Sequence, residues 1–119
     1  MGWSLDKSRP ICPQIGEQLS VKIASGEFAP NQRLMSVREV ALQAGVNPNT
    51  VQKAFEQLEA QGLIYSVRGS GWFAGENTAK AKETVERLTH EKTSAYFEEM
   101  AKLGYTQEQT KQFIEEWNK

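Results

Sequence analysis

The chain has 119 residues, including 14 Lys or Arg, 15 Asp or Glu, one Cys and one His, and its formal net charge at pH 7 is −1. That length fits one domain, or one domain plus an appendage, and a single Cys with a single His excludes a disulfide framework and most metal sites, so we expect no metal and no cofactor. No apolar run approaches the ~20 residues of a membrane-spanning helix, and residues 1–7 lack the pattern of a signal peptide, so we expect a cytoplasmic protein. Because the net charge is close to zero, binding to a phosphate backbone would have to use a few well-placed cations.

The composition changes near residues 75–78. Before this point Gly, Pro and β-branched residues occur in short segments, and after it the chain is rich in Glu and Lys, with one Gly and no Pro. We therefore predict a compact domain of residues 1–75 and a helical segment of residues 76–119. The predicted fold class is α+β and mostly helical.

The first predicted elements are a helix and a short strand. Ile15, Leu19 and Ile23 recur every four residues, which gives a helix one apolar stripe, and Gly26 ends it. Turn residues follow at positions 29–32, and residues 33–35 are long enough only for a short strand.

Two helices separated by a short turn come next. Ser36 and Glu39 have the spacing of a capping box, and the helix that they start ends at Gly45. Asn47 followed by Pro48 starts another helix almost at once. The predicted inward faces are Val37, Val40, Ala41 and Ala44 on the first helix, and Val51, Ala54, Phe55 and Leu58 on the second, which ends at Gly62.

Two apolar runs, residues 63–67 and 72–74, then flank Arg68-Gly69-Ser70-Gly71, which predicts a β-hairpin with a glycine-rich tip. The order helix, strand, helix, tight turn, helix, hairpin is that of a winged helix-turn-helix. The turn of about three residues is its most specific feature, because so short a link forces the two helices to cross steeply.

The helix that begins at Pro48 would be the one that reads DNA. Stepping 100° per residue places five residues on its outward face: Asn49, Gln52, Lys53, Glu56 and Ala60. Asn and Gln can pair twice with an adenine edge, and Lys can reach guanine or phosphate. A solvated amphipathic helix would carry a similar polar face, so this face alone leaves both readings open.

Two arginines flank that helix in the sequence. Arg38 lies in the first turn of a helix, where the helix dipole favours acids. One explanation is contact with a guanine edge or a phosphate, and the other is a surface ion pair with Glu39 or a neighbouring acid. Arg68 at the hairpin tip would bring a cation to a neighbouring groove, although turn formation alone also explains the glycines beside it.

Residues 10–74 contain a series of motifs, namely Pro10-Ile11, Gln14-Ile15, Gln18-Leu19, Ile23-Ala24-Ser25-Gly26-Glu27-Phe28, Leu34-Met35-Ser36-Val37-Arg38-Glu39-Val40-Ala41, Gly45-Val46-Asn47-Pro48-Asn49-Thr50-Val51-Gln52-Lys53-Ala54 and Leu58-Glu59-Ala60-Gln61-Gly62-Leu63-Ile64. In this order the motifs resemble the DNA-binding domain of GntR-family transcriptional regulators. The run Val46-Asn47-Pro48-Asn49-Thr50-Val51-Gln52, followed by a short helical tail, is similar to the YtrA-type branch.

The resemblance implies that this chain is a transcriptional regulator, most simply a repressor that occludes a promoter. The residues expected to contact DNA are Arg38, Asn47, Asn49, Thr50, Gln52, Lys53, Arg68 and Gly69. Many relatives carry arginine where this chain has Pro48, and often a second where it has Gln52. That departure favours an A·T-directed readout through Asn49 and Gln52.

The tail predicts two amphipathic helices, one over residues 78–103 and one after Gly104 that begins with a capping box at Thr106. Their apolar faces imply a partner, most simply the same segment of a second copy, which would let a homodimer meet a palindromic operator. Packing of the tail on its own domain is the alternative. The residues predicted to dimerise are Val85, Leu88, Tyr96, Leu103, Phe113, Ile114 and Trp117.

Two other functional classes are alternatives to a DNA-binding regulator. A winged-helix module that binds a protein instead of DNA would fit the near-neutral charge. An enzyme is disfavoured, because His90 lies in the polar helical tail without a neighbouring acid–nucleophile set and Cys12 lies between Ile11 and Pro13, where it serves as a small apolar residue. No catalytic residue is predicted. A small-molecule effector is neither named nor required by the sequence.

Overall fold

The computed structural model describes residues 3–118, so residues 1, 2 and 119, the outer ends of the two predicted segments, lie outside the described part. The described residues form two compact units that divide after Val85. Five helices and two strands follow one another: α1 (Ile11–Ala24), α2 (Val37–Ala44), α3 (Pro48–Ala60), β1 (Ile64–Val67), β2 (Gly71–Ala74), α4 (Ala79–Lys102) and α5 (Gln107–Glu115). The prediction of a mostly helical α+β winged fold is confirmed.

The core of the first unit lies between α1, α2, α3 and the hairpin. The predicted stripe of α1 is fully buried: Ile15, Leu19 and Ile23 are at most 2% exposed. Phe55 of α3 is also fully buried and meets Trp72 of β2 edge to face, with ring centroids 5.4 Å apart. These contacts fix α3 and the hairpin on one apolar base.

The helix-turn-helix has the predicted ends. Ser36 and Glu39 form both hydrogen bonds of the capping box at the start of α2, and Gly45 ends α2 in the left-handed conformation with φ 69°. Only residues 45–47 separate α2 from α3. At the end of α3, the Leu63 amide donates to the Leu58 carbonyl, which closes the helix beyond Gly62.

The hairpin pairs Ile64 with Ala74 and Val67 with Gly71 in an antiparallel register. The strand predicted at residues 33–35 is wrong in extent, because this segment contributes only an isolated bridge between Arg33 and Phe73. Leu34 donates its amide to the Trp72 carbonyl at 2.8 Å, after which Ser36 turns the chain into α2. The early helix start leaves too few residues for a third strand.

The second unit begins at Glu86, within α4, and contains the rest of that helix and all of α5. The predicted capping box at Thr106 is present, with hydrogen bonds between Thr106 and Gln109 in both directions. Ala81, near the start of α4, is fully buried in the core of the first unit, so it does not continue the apolar stripe of the tail. None of the described helices is both long and apolar enough to cross a membrane.

Candidate nucleic-acid interface

The outward face of α3 begins at its first turn. Val51 and Phe55 are fully buried and orient the helix, so that Asn49 and Lys53 are exposed and Gln52 is half-buried. The side chains of Asn49 and Lys53 make no hydrogen bond or ion pair within residues 3–118. Their donors and acceptors are therefore free to meet a ligand.

Asn47 and Thr50 have more restricted roles at this end of α3. The Asn47 side-chain oxygen accepts a hydrogen bond from the Asn49 amide at 2.8 Å, so it caps the helix as predicted. Thr50 is half-buried. Asn47 can therefore contact DNA only through the part of its side chain that the cap leaves unused.

Gln52 is hydrogen-bonded on the same face. Its Nε2 donates to Oε2 of Glu56, one turn further along α3, at 3.0 Å. The carboxylate can only accept, so it holds the nitrogen end of the Gln52 amide toward itself. Glu56, the acid on this face, is therefore hydrogen-bonded to a residue of the same helix.

Arg38 lies at the second position of α2 and is exposed. The alternative of an ion pair with Glu39 is not realised, because the Glu39 carboxylate accepts from the Ser36 amide at 3.0 Å. Hydrogen bonds from the Ser36 amide and hydroxyl, together with the charge of Arg33, hold the pKa of Glu39 below its usual range. In the described part of the chain, Arg38 has no side-chain partner.

The tip of the hairpin carries Arg68 and Gly69, both exposed. Gly69 has φ 83°, which favours glycine, and the Ser70 amide closes the turn on the Val67 carbonyl at 2.9 Å. Arg68 makes no ion pair or hydrogen bond to any described residue. The tip therefore offers a cation beside backbone that a ligand can approach closely.

Neighbouring contacts fix these elements to one another. The Glu59 carboxylate of α3 accepts a hydrogen bond from the Ser66 hydroxyl at 2.8 Å, which links α3 to β1. Helices α2 and α3 also pack against each other, as do α3 and β1. The predicted DNA-contacting residues thus lie on the starts of α2 and α3 and on the hairpin tip, three parts of one packed unit.

Two cations near these elements were missed by sequence reasoning. The Arg33 guanidinium lies beside the hairpin, 3.6 Å from where a Cβ on Gly71 would stand. The Lys7 ammonium donates to the Gly45 carbonyl at 3.1 Å, in the turn before α3. The exposed side of a short strand gave a weak signal for Arg33, whereas nothing local relates Lys7 to a residue 38 positions away.

The tail residues predicted to dimerise form no closed core within the second unit. Leu103 and Trp117 are 73% and 72% exposed, and Tyr96, Phe113 and Ile114 are also exposed. Val85 and Leu88 are half-buried. Four of these side chains line an open apolar depression of about 290 Å³: Tyr96, Phe113, Ile114 and Trp117.

Comparison with known proteins gives a family match over the helix-turn-helix and the hairpin. The model for bacterial regulatory proteins of the gntR family matches residues 13–74, just over half of the chain. The transcriptional repressor YtrA of Bacillus subtilis (strain 168) is 42% identical over 78 residues, which cover 66% of this chain and 58% of YtrA. The chain therefore spans less than two thirds of that relative.

Solved structures extend the likeness. A GntR family transcriptional regulator from Listeria monocytogenes matches with a TM-score of 0.79 and 32% identity. The match covers 94% of this chain and 98% of the Listeria chain. AraR(DBD), solved in complex with operator ORE1, matches with a TM-score of 0.55 and 34% identity, covering 63% of this chain and 94% of its own. The similarity thus includes a protein fragment seen bound to DNA.

Proposed function

The chain belongs to the GntR family of bacterial regulatory proteins, and from this premise we propose that it is a repressor that binds a palindromic operator as a homodimer. It is a DNA-binding transcriptional regulator, not an enzyme. Residues 1–75 read the operator in this proposal, and residues 76–119 hold two copies together. The name of the repressor YtrA supports the sign of regulation.

The observation that carries the proposal is a set of exposed, unpaired cations at three places on one packed unit. Arg38, Lys53 and Arg68 have no side-chain partner among the described residues, although the chain as a whole has more acids than bases. Ordinary surface cations are often unpaired. Here they coincide with the starts of the two helices and with the wing, the parts of this motif that meet a duplex.

Each element has its own place on the DNA. The start of α3 enters the major groove, where Asn49, Thr50, Gln52 and Lys53 face the base edges, and Asn47 lies at its entry. Arg38 reaches a guanine edge or a phosphate from α2, since its planar fork suits either acceptor. Arg68 and Gly69 bring the wing to the neighbouring groove.

The exposed apolar side chains of the tail support the homodimer. A second copy would cover Trp117, Ile114 and their neighbours, and monomeric proteins rarely leave such a cluster in contact with water. A two-fold pair also matches the symmetry of a palindrome. Nothing in this mechanism requires a small-molecule effector.

A salt titration with matched variants tests the proposal. We expect affinity for operator selected from random duplex DNA to fall steeply as salt rises, because each neutralised phosphate releases counterions. Arg38→Ala should weaken specific binding by ~1–3 kcal/mol if Arg38 pairs with a base edge.

The control variant is Arg87→Ala, which removes an exposed arginine that pairs with Glu91 on α4. This arginine is on the side of α4 opposite to the predicted dimerisation residues, so its loss should leave binding unchanged. Failure to select any sequence, or selected binding that ignores salt, would refute DNA reading and favour the protein-binding alternative.

A further inference from the structure

We propose that Glu56 is a specificity-determining residue that acts through Gln52: it fixes the direction in which the Gln52 amide presents its donor and acceptor to a base. This inference rests on the proposed function, because it assumes that the start of α3 lies in the major groove. It goes further in assigning a role to an acid that would otherwise only repel the phosphates.

The Gln52 amide and the Glu56 carboxylate form a directional pair. Gln52 has an amide with an oxygen at one end and a nitrogen at the other, and free rotation would exchange them. Glu56 Oε2 accepts from Gln52 Nε2 at 3.0 Å. Turning the amide around would place its oxygen against a carboxylate, so the two ends are not interchangeable while Glu56 is ionised.

A Gln52 amide held in one orientation can distinguish adenine from guanine. An adenine edge offers one acceptor, N7, and one donor, the N6 amino group, whereas guanine offers two acceptors, N7 and O6. A Gln amide with its oxygen and one N–H directed outward matches adenine on both atoms. The second hydrogen of Nε2 remains available for Glu56, so the hydrogen bond to Glu56 and the contact with the base do not compete.

The role of Glu56 in orienting Gln52 is distinct from a contribution to helix stability. Gln–Glu pairs four residues apart stabilise a helix only weakly. The same chain has such a pair on α5, where Gln112 Nε2 donates to Glu116 Oε2 at 2.7 Å. The pair on α3 differs in its position, because Gln52 is half-buried on the reading face and in the sequence it follows the unpaired Asn49 and precedes the unpaired Lys53.

The experiment is selection of bound sequences from a random duplex pool by the full-length protein and by five variants: Gln52→Ala, Glu56→Ala, Glu56→Gln, the double variant Gln52→Ala/Glu56→Ala, and Glu116→Gln. We expect the wild type to prefer adenine at one base pair by about 5- to 150-fold, the range of a good bidentate contact. Gln52→Ala should remove that preference.

Both single variants of Glu56 should reduce the same preference to a few-fold, with total affinity unchanged or raised because a negative charge near the phosphates is gone. The double variant should match Gln52→Ala, and Glu116→Gln should match the wild type. Circular dichroism of each variant checks that the total helix content is unchanged, and Glu56→Gln keeps the size of the side chain.

Three results would overturn the inference while leaving the proposed function intact. The Gln52-dependent preference could survive loss of Glu56, a different base pair could respond to Glu56, which would make it a direct reader, or Gln52→Ala could change nothing. A wild type that selects no sequence, with Arg38→Ala without effect on binding, would instead refute the proposed function itself.

Discussion

The side-chain oxygen of Asn47 accepts a hydrogen bond from the Asn49 amide at 2.8 Å, which satisfies one of the amides that the first turn of α3 leaves without a helical partner. Pro48, which follows it, has no amide hydrogen to satisfy. The residue before the reading helix therefore serves the fold first. A separate contribution of Asn47 to DNA binding is therefore tested by substitutions that keep the cap.

Substitutions at Asn47 can separate these two roles. Asn47→Ala should lower the free energy of unfolding by about 1 kcal/mol, because alanine cannot accept the Asn49 amide. Asn47→Asp should keep the stability, since Asp caps as well as Asn, but should weaken operator binding by placing a negative charge near the phosphates. Chemical denaturation and binding assays on the same preparations measure the two effects. Equal operator affinity for Asn47→Asp and the wild type would exclude Asn47 from the interface.

Among the elements, α2 has the most complete set of local signals. Ser36 and Glu39 exchange hydrogen bonds at its start, and Gly45 ends it. Lys7 then donates to the Gly45 carbonyl, next to the turn that leads into α3. The position of Arg38 in the first turn therefore depends on one cap, and the turn after α2 depends on a cation from the N-terminal segment.

The capping box should make the stability of this element depend on pH. The pKa of Glu39 is lowered in the folded state by the amide and hydroxyl of Ser36, so its stabilising effect is present above the ordinary carboxyl pKa and is lost as the pH falls through the lower, folded value. Glu39→Gln keeps a side chain that can accept the Ser36 amide but does not titrate. We expect the stability difference between wild type and Glu39→Gln to shrink on acidification below about pH 4.3.

Denaturant unfolding at several pH values, by circular dichroism, measures this difference. Asp6 titrates in the same range, and its pKa is lowered by hydrogen bonds from Ser8, but it is present in both proteins and cancels. A stability difference that stays constant from neutral pH to pH 3 would contradict the assignment.

The predictability of these elements follows from how local their signals are. The caps at Ser36, Asn47 and Thr106 use residues two or three positions apart, and all three are present as predicted. The segment at Arg33 was predicted as a strand, but its pairing depends on Phe73, 40 residues away, and on where α2 begins. Distant partners decide such contacts, and a single sequence does not reveal them.

The same distinction applies to the site. The side of α3 that faces outward follows from the burial of Val51 and Phe55, which periodicity predicted. The hydrogen bond of Gln52 to Glu56 was not predicted, because the spacing allows the pair without requiring it. The contact of Lys7 is visible only in the folded structure, because Gln14 of α1 holds the N-terminal segment through the backbone of Asp6: its amide oxygen accepts from the Asp6 amide and its nitrogen donates to the Asp6 carbonyl.

At the scale of the whole molecule, the small number of unpaired cations and the near-neutral charge lead us to expect that DNA binding depends on joining two reading units. A tethered second unit acts at an effective concentration of about 1 mM, which can raise overall affinity by 10²–10⁴-fold without any new contact. Arg38, Lys53 and Arg68 would then act twice on one palindrome. The exposed tail is the part of the chain that can supply this gain.

Ile114→Glu tests this last dependence. Ile114 is 47% exposed on α5, so a carboxylate there should spare the fold of the second unit but should be excluded from an apolar interface. We expect the wild type to sediment as a dimer at micromolar concentration and Ile114→Glu as a monomer. Operator affinity should fall by at least about 100-fold, whereas affinity for a single half-site should stay the same.

Lys111→Glu, an exposed change of charge on the same helix, should keep both the dimer and the affinity. A wild-type monomer, or an Ile114→Glu dimer with full operator affinity, would refute dimerisation through this surface.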